Sequence, residues 1–164
     1  MKNPVFEKLT ELNIAFKTYY HDALFTCQQA MTVADTVPAA QCKNLFLKDD
    51  KKRLYLVVAL AQTVINLKRL SQFLQAPGLR FADSALLQKH LGVEPGSVTP
   101  FGLIFDTERK VNVILDASLF DFSQIGFHPL TNTATTVIMP QDLAIFLDAC
   151  GYKYQIVNFG IIAQ

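Results

Sequence analysis

The chain has 164 residues, of which 51% are hydrophobic, with 15 basic and 14 acidic side chains and a formal net charge of +1. This near-neutral balance argues against general capture of a long nucleic acid through many phosphate contacts, so any contact with RNA has to be local and DNA is not expected as a partner. The apolar runs are too short for a membrane span, the start of the chain lacks the pattern of a secretory signal, and the length favours one domain over residues 1–164. We therefore expect a cytoplasmic protein.

The cysteines and histidines are too scattered to predict a metal site. The cysteines are odd in number and form no C-x-x-C pair: Cys27, Cys42 and Cys150. The histidines lie far apart in sequence, without the i, i+4 spacing of a helical metal pair: His21, His90 and His128. We expect reduced thiols, no metal and no cofactor.

The first third of the chain predicts two helices and three strands. Asn3 as N-cap and Pro4 behind it predict a helix to about Leu12. Alternating side chains predict a strand over Phe16 to Tyr20, and Thr26 can cap a short helix through Asp35. Two apolar runs joined by four polar residues then predict a hairpin: Leu45 to Lys48 and Leu54 to Ala59.

The remainder predicts further helices and strands, punctuated by glycine and proline. The predicted helices run from Asn66 to Leu74, from Ser84 to a Gly92 C-cap, and from Pro140, as the last helix, to Gly151. The predicted strands are a second hairpin of Leu103 to Phe105 with Val111 to Leu115, a β-branched run from Ala134 to Ile138, and a final strand from Tyr154 to Phe159. Strand pairs among helices favour an α+β (mixed α/β) fold with a mixed, largely antiparallel sheet.

Three polar segments are unusual for a purely structural domain. Lys43 heads an apolar strand, where it can supply a fixed positive charge, although such lysines usually snorkel to the surface. The segment Gly96 to Pro100 allows close approach of the backbone to a ligand, so that its N–H groups can bind a carbonyl oxygen or a phosphate. The alternative interpretation of this segment is an ordinary turn. The segment Phe127 to Thr133 brings together an imidazole, an amide and hydroxyls. Such a group of polar side chains often forms a site, although the capping of turns explains the asparagine and threonines equally well.

Basic residues form two modest clusters. They are Lys48, Lys51, Lys52 and Arg53 in the first, and Lys68 and Arg69 in the second. Two such patches can hold an RNA backbone near a pocket, whereas the more common interpretation is solvated turns and helix faces.

The three polar segments, in this order, resemble the YbaK and prolyl-tRNA synthetase editing-domain superfamily. The resemblance rests on Lys43 to Leu47, on Gly96 to Pro100 with the following Phe101-Gly102-Leu103, and on the Gly126-Phe127-His128-Pro129 run with Asn132 and Thr135. Within that superfamily the chain is most similar to the single-domain PrdX or ProX branch, the Ala-tRNA(Pro) deacylases. One departure is Thr99, where the domains embedded in synthetases usually have a second glycine.

The resemblance implies a site and an activity. It implies that Lys43 is catalytic and that seven residues bind substrate: Asn44, Gly96, Ser97, Thr99, Pro100, His128 and Asn132. The implied reaction is hydrolysis of a mischarged tRNA(Pro), with Ala-tRNA(Pro) first, aided by the terminal ribose hydroxyl of the tRNA. The implied partners are the tRNA acceptor end and, as a further candidate, prolyl-tRNA synthetase. Cys-tRNA(Pro), Ser- or Thr-tRNA, and a non-catalytic module that binds aminoacyl-tRNA or a synthetase remain as alternatives.

Overall fold

Helices and mixed sheets alternate in the computed structural model, which describes residues 2–23 and 36–162. Its α-helices are α1 (Pro4–Glu11), α2 (Leu67–Leu74), α3 (Ser84–Leu91), α4 (Pro140–Ala149) and α5 (Phe159–Ile162). Its strands are β1 (Lys17–Tyr20), β2 (Cys42–Lys48), β3 (Leu54–Leu60), β4 (Arg80–Phe81), β5 (Val111–Asp116), β6 (Ile125–Phe127), β7 (Ala134–Ile138) and β8 (Tyr154–Val157). Two 3₁₀ helices cover Pro100–Phe105 and Ala117–Asp121. The helix predicted from Thr26 to Asp35 lies outside the described residues.

Side-chain caps and turn residues explain where the predicted helices begin and end. The Asn3 side chain accepts a hydrogen bond from the Val5 N–H at 2.8 Å, with Pro4 in the first turn of α1. Asp83 caps α3 in the same way, and Gly92 ends that helix in the left-handed conformation at a φ of 65°. The predicted helices within the described residues are confirmed, but α4 is not the last, because α5 follows it.

The strands form two sheets. The larger sheet has the order β4-β2-β3-β5-β8, and the smaller has the order β1-β7-β6. The predicted β2–β3 hairpin is confirmed as an antiparallel pair in which Lys43 lies opposite Ala59. The β3–β5 and β5–β8 pairs are parallel, whereas the other four pairs are antiparallel. The predicted α+β class, with a mixed and largely antiparallel sheet, is therefore confirmed.

The second predicted hairpin is wrong. Leu103 to Phe105 belong to the first 3₁₀ helix, and β5 pairs in parallel with β3 instead. Pro100 opens this 3₁₀ helix behind a threonine cap, which favours a helical turn over an extended strand. The helix then packs closely on α3, where a Cβ on Gly102 would lie 2.5 Å from the Leu91 carbonyl oxygen. The final strand is also shorter than predicted, since it ends at Val157 and Phe159 begins α5.

Strand β3 lies at the centre of the core, and all seven of its residues are buried. Leu56 and Val58 face one hydrophobic cluster, while Tyr55 and Val57 face the other. Burial on both faces is typical of strands in parallel pairs. The first cluster also contains Phe101 and Phe127, and the segments that carry the predicted site are packed around it. No helix in the described part of the chain is long and apolar enough to cross a membrane.

Candidate active site

Lys43 is held by a polar chain that leads into the protein. Its Nζ donates a hydrogen bond to the carbonyl oxygen of Thr63, in the turn after β3. The Thr63 hydroxyl donates to Oδ2 of Asp116 at 2.5 Å. Asp116 is fully buried and also accepts hydrogen bonds from the N–H groups of Leu60 at 3.2 Å and Ser118 at 2.9 Å. Asp116 therefore fixes the turn whose carbonyl oxygen holds the ammonium group of Lys43.

Sequence reasoning missed Thr63 and Asp116. Thr63 is 20 residues from Lys43 and 53 from Asp116, so no local motif joins the three. The sequence carries a weak signal for Asp116, which ends the apolar run of β5. An acidic side chain at such a position is buried only when it has hydrogen-bond or ion-pair partners.

Asn44 faces the opposite side of the sheet from Lys43, because neighbouring side chains alternate along a strand. It lies opposite Val58, whose side chain faces the first hydrophobic cluster. Its Oδ1 is the one buried side-chain nitrogen or oxygen atom among the described residues that lacks a hydrogen-bond partner. Such an atom costs about 1–3 kcal/mol, and native proteins rarely keep one without a reason. Asn44 thus presents an unused acceptor next to the predicted catalytic lysine in sequence.

The glycine-led loop exposes backbone donors. Gly96 has a φ of 94°, a conformation that favours glycine. The N–H of Ser97 is used within the turn, where it donates to the carbonyl oxygen of Glu94 at 3.0 Å. Within the described residues, the N–H groups of Gly96, Val98 and Thr99 have no hydrogen-bond acceptor. Of these, Gly96 and Val98 lie outside the fully buried part of the loop and are the donors that the loop can offer to a carbonyl oxygen.

Thr99 and Pro100 close this loop. Thr99 is fully buried, and its hydroxyl accepts a hydrogen bond from the N–H of Phe101 at 3.3 Å, which caps the 3₁₀ helix. Pro100 is buried at the first position of that helix. The Thr99 hydroxyl oxygen therefore caps the 3₁₀ helix, while its O–H group can still donate a hydrogen bond.

His128 has a defined neutral tautomer. Its Nδ1 lies 3.0 Å from the carbonyl oxygen of Ala134, and since a carbonyl oxygen only accepts, Nδ1 carries the hydrogen. Burial lowers the pKa of His128, and the neighbouring His21 lowers it further, although the bond to Ala134 acts in the opposite direction. The ring is therefore neutral at pH 7, and Nε2 is a hydrogen-bond acceptor.

The structure brings His21 next to His128, although the two are far apart in sequence. Their ring centroids are 6.4 Å apart. Nε2 of His21 lies 2.8 Å from the hydroxyl of Thr135, which packs over Gly126, where a Cβ would lie 2.7 Å from the Thr135 methyl group. Gly126, the glycine of the Gly126-Phe127-His128-Pro129 run, thus leaves room for the Thr135 side chain that contacts His21. Across the described ranges, no group of three or more His, Cys, Asp or Glu residues is arranged to hold a metal ion.

The three polar segments meet around one part of the core. The rings of Phe101 and Phe127 pack edge to face at 5.7 Å, which joins the end of the glycine-led loop to the segment of His128. The thiol of Cys42, the residue before Lys43, donates to the carbonyl oxygen of Ala40 at 3.7 Å, and the N–H of Gly126 donates to the same oxygen at 3.4 Å. Burial raises the pKa of that thiol to about 12. Asn132, the remaining predicted residue, lies half-buried in the connection between β6 and β7. The segments that carry the sequence-predicted residues are therefore neighbours, with Asn44 on the sheet face of the first cluster and Lys43 on the opposite face.

A held lysine, loop N–H groups without an acceptor and a neutral histidine are groups that can bind an activated ester. The family model of the aminoacyl-tRNA editing domain matches residues 21–146, and the chain belongs to that family. The chain is an aminoacyl-tRNA deacylase.

Two curated relatives match this chain over most of their own length. The prolyl-tRNA editing protein ProX of Acetoanaerobium sticklandii is 35% identical over 96% of this chain and 96% of its own. The prolyl-tRNA synthetase associated domain-containing protein 1 of Danio rerio is 39% identical over 93% of this chain and 84% of its own. The solved structure of a "putative trans-editing enzyme for prolyl tRNA synthetase" has a TM-score of 0.71 at 19% identity, covering 96% of this chain and 98% of its own, and supports the fold.

Proposed function

We propose that this chain, as a single domain over residues 1–164, acts in trans on mischarged tRNA(Pro) and releases alanine from Ala-tRNA(Pro). The observation that carries the proposal is the match to a protein named prolyl-tRNA editing protein, which extends over 96% of both chains. The partners in this proposal are the acceptor end of tRNA(Pro) and prolyl-tRNA synthetase.

The residues of the site suit ester hydrolysis without a protein nucleophile. An aminoacyl ester is already activated, so its hydrolysis depends mainly on a positioned water and on stabilisation of the developing oxyanion. In the proposed arrangement Lys43 holds a phosphate or the carbonyl side of the ester, and the N–H groups of Gly96 and Val98 bind the carbonyl oxygen. The terminal ribose hydroxyl of the tRNA assists the attacking water.

The amino-acid pocket is proposed to lie around Asn44, His128 and Asn132. The unpaired Oδ1 of Asn44 suits the α-ammonium group of the substrate, which would supply the missing donor. The neutral ring of His128 suits a wall that accepts a hydrogen bond without adding charge. Asn132, in the connection after β6, is proposed as a second wall of the pocket.

Energetics explain the need for such an enzyme. A synthetase pocket built for proline rejects a smaller amino acid by only about 1–3 kcal/mol per missing methylene-sized group, which is too little for accurate translation. A second pocket that admits alanine and excludes proline by size supplies the missing discrimination.

The test is a deacylation panel with alanyl-, cysteinyl-, seryl- and prolyl-tRNA(Pro), followed as release of labelled amino acid under single-turnover conditions. The proposal requires fast release of alanine and slow release of proline. Preferred release of cysteine or serine would show that this amino acid, and not alanine, is the one the enzyme removes. Binding of charged tRNA without release of any amino acid would identify a non-catalytic module instead.

A further inference from the structure

A cavity of about 650 Å³ lies at the end of the β2–β3 hairpin, away from Lys43. It is lined by six basic residues: Lys48, Lys52, Arg53, Arg80, Lys89 and Lys110. Three acidic residues also line it, so its formal charge is +3 in a chain whose total is +1. Positive charge is therefore concentrated at this place, and the remainder of the chain is net negative.

The most buried acid of the cavity is already neutralised from within the hairpin. Oδ1 of Asp49 accepts hydrogen bonds from the N–H groups of Lys51 and Arg53, each at 2.9 Å. Oδ2 accepts from Nε of Arg53 at 2.7 Å and from the hydroxyl of Tyr55 at 3.0 Å. Asp49 is 1% exposed, so its charge stabilises the turn and offers nothing to a ligand.

The remaining cations divide into paired and unpaired groups. Arg80 pairs with Asp50 at 2.8 Å, and Lys48 lies 3.9 Å from Asp83. Lys52, Lys89 and Lys110 are exposed, and they form no ion pair with any residue in the described ranges. Three separate segments, namely the hairpin turn, α3 and the approach to β5, thus direct unpaired ammonium groups to one cavity.

We propose that this cavity binds the sugar-phosphate backbone of the tRNA substrate. This inference rests on the proposed function. A chain of near-zero net charge holds a polyanion only where it concentrates its cations, and exposed lysines suit phosphates as point charges. The cavity volume is within the range typical of ligand sites. Lys43 and Lys48 lie five residues apart along β2, about 17 Å, so an RNA strand that ends at Lys43 can extend to the cavity.

The experiment measures binding of uncharged tRNA(Pro) by filter binding across a salt series. The test variant is Lys89→Ala with Lys110→Ala, which removes two unpaired cations and leaves Lys52, whose left-handed φ of 64° makes it a poorer site for substitution. The control is Lys2→Ala with Lys153→Ala, which removes the same charge from two exposed positions outside the cavity. The test variant should bind on the order of tenfold more weakly, with the salt slope reduced by about 2, whereas the control should change little.

The outcomes separate this proposal from the proposed function, because uncharged tRNA reports binding and charged tRNA reports turnover. Equal loss in the test and control variants, or no loss in either, would overturn the proposal even if Ala-tRNA(Pro) is hydrolysed. Displacement of tRNA by AMP or inorganic phosphate at micromolar concentration would also overturn it, since the cavity would then be a site for a small phosphate compound. Selective loss in the test variant, with single-turnover deacylation unchanged at saturating tRNA, would support it. Selective loss in a chain that releases no amino acid would support the RNA site and overturn the proposed function.

Discussion

Thr63 and Asp116 are joined by a hydrogen bond of 2.5 Å between the threonine hydroxyl and a carboxylate oxygen. The same threonine accepts a hydrogen bond from Lys43 through its backbone carbonyl oxygen. A fully buried carboxylate thereby orders the turn that holds the lysine, without touching the lysine itself. Thr63 and Asp116 are positioning residues in this arrangement.

Thr63→Val should lower both stability and activity, because it keeps the shape of the side chain but removes the donor to Asp116. We expect the free energy of unfolding to fall by about 1–3 kcal/mol, since a charged acceptor loses a partner. Deacylation should fall by about tenfold, because Lys43 is held less firmly. Urea denaturation and single-turnover kinetics measure the two effects. Thr63→Ser retains the hydroxyl and serves as the control, so an equal loss of activity in both variants would argue against the positioning role.

Lys43→Ala should remove most of the deacylation while the chain remains folded. A preorganised donor to a developing oxyanion contributes about 100- to 1,000-fold in rate, and a loss of this size is expected. Circular dichroism checks the fold, and single-turnover release of alanine measures the rate. Lys153→Ala removes an exposed lysine before β8 and is the matched control. A folded Lys43→Ala variant with the wild-type rate would show that Lys43 is not catalytic.

Local signals in the sequence were sufficient for most of the fold. Asn3, Pro4 and Gly92 mark helix ends by their own backbone chemistry, and the structure uses all three as predicted. The second hairpin failed because β5 finds its partner in β3, through parallel pairing that no turn residue specifies. β3 lies between β2 and β5 and is buried on both faces, and its continuous apolar run is typical of such a central strand.

The candidate site was predictable where a motif carries it and hidden where packing carries it. Gly96 and His128 lie in recognisable runs, and the structure gives each a conformation or a tautomer that suits a site. His21 has no sequence context of its own and Asp116 has only a weak one, because their roles arise from contacts with residues more than 50 positions away. Such contacts exist only after the sheets have formed.

Asn44→Leu should separate function from stability. Leucine has the same branching and number of heavy atoms as asparagine and removes a buried oxygen that has no partner, so the free energy of unfolding should stay constant or rise by up to about 3 kcal/mol. Deacylation of Ala-tRNA(Pro) should fall, because the substrate's ammonium group loses an acceptor. Ser71→Ala is the control, since its hydroxyl donates to the Ala76 carbonyl oxygen at 2.6 Å and its loss should cost about 1 kcal/mol with no change in rate. A destabilised Asn44→Leu variant with full activity would contradict this assignment.

His128 should make the protein less stable in mild acid. Because its pKa is lowered in the folded state, the unfolded chain binds more protons just below the ordinary histidine pKa of 6.5. The stabilisation is therefore complete above pH 6.5 and is lost as the pH falls through the folded-state pKa. Urea denaturation from pH 7.5 to 5 should show a steeper loss for the wild type than for His128→Asn, by at most about 1.4 kcal/mol per pH unit. Parallel pH profiles for the two proteins would show that His128 does not titrate in this way.

Selectivity for alanine should depend on volume at His128 and Thr99. If these residues limit the pocket, proline is excluded because its ring collides with the wall before the ester reaches the attacking water. His128→Ala should then raise the rate on prolyl-tRNA(Pro) relative to alanyl-tRNA(Pro) by about 10- to 200-fold, the range expected for methylene-sized changes. Thr99→Gly should act in the same direction, but it also removes the hydroxyl that caps the 3₁₀ helix.

Thr99→Ser is the variant that isolates the volume effect at that position. It keeps the capping hydroxyl and removes one methyl group, so stability should be retained while the discrimination between the two charged tRNAs narrows. Single-turnover rates on both tRNAs, for the wild type and the three variants, give the ratio directly. A catalytic His128 would lower both rates in proportion, because the loss of a group that acts on the ester affects every amino acid alike. An unchanged ratio in all three variants would therefore mean that other residues exclude proline.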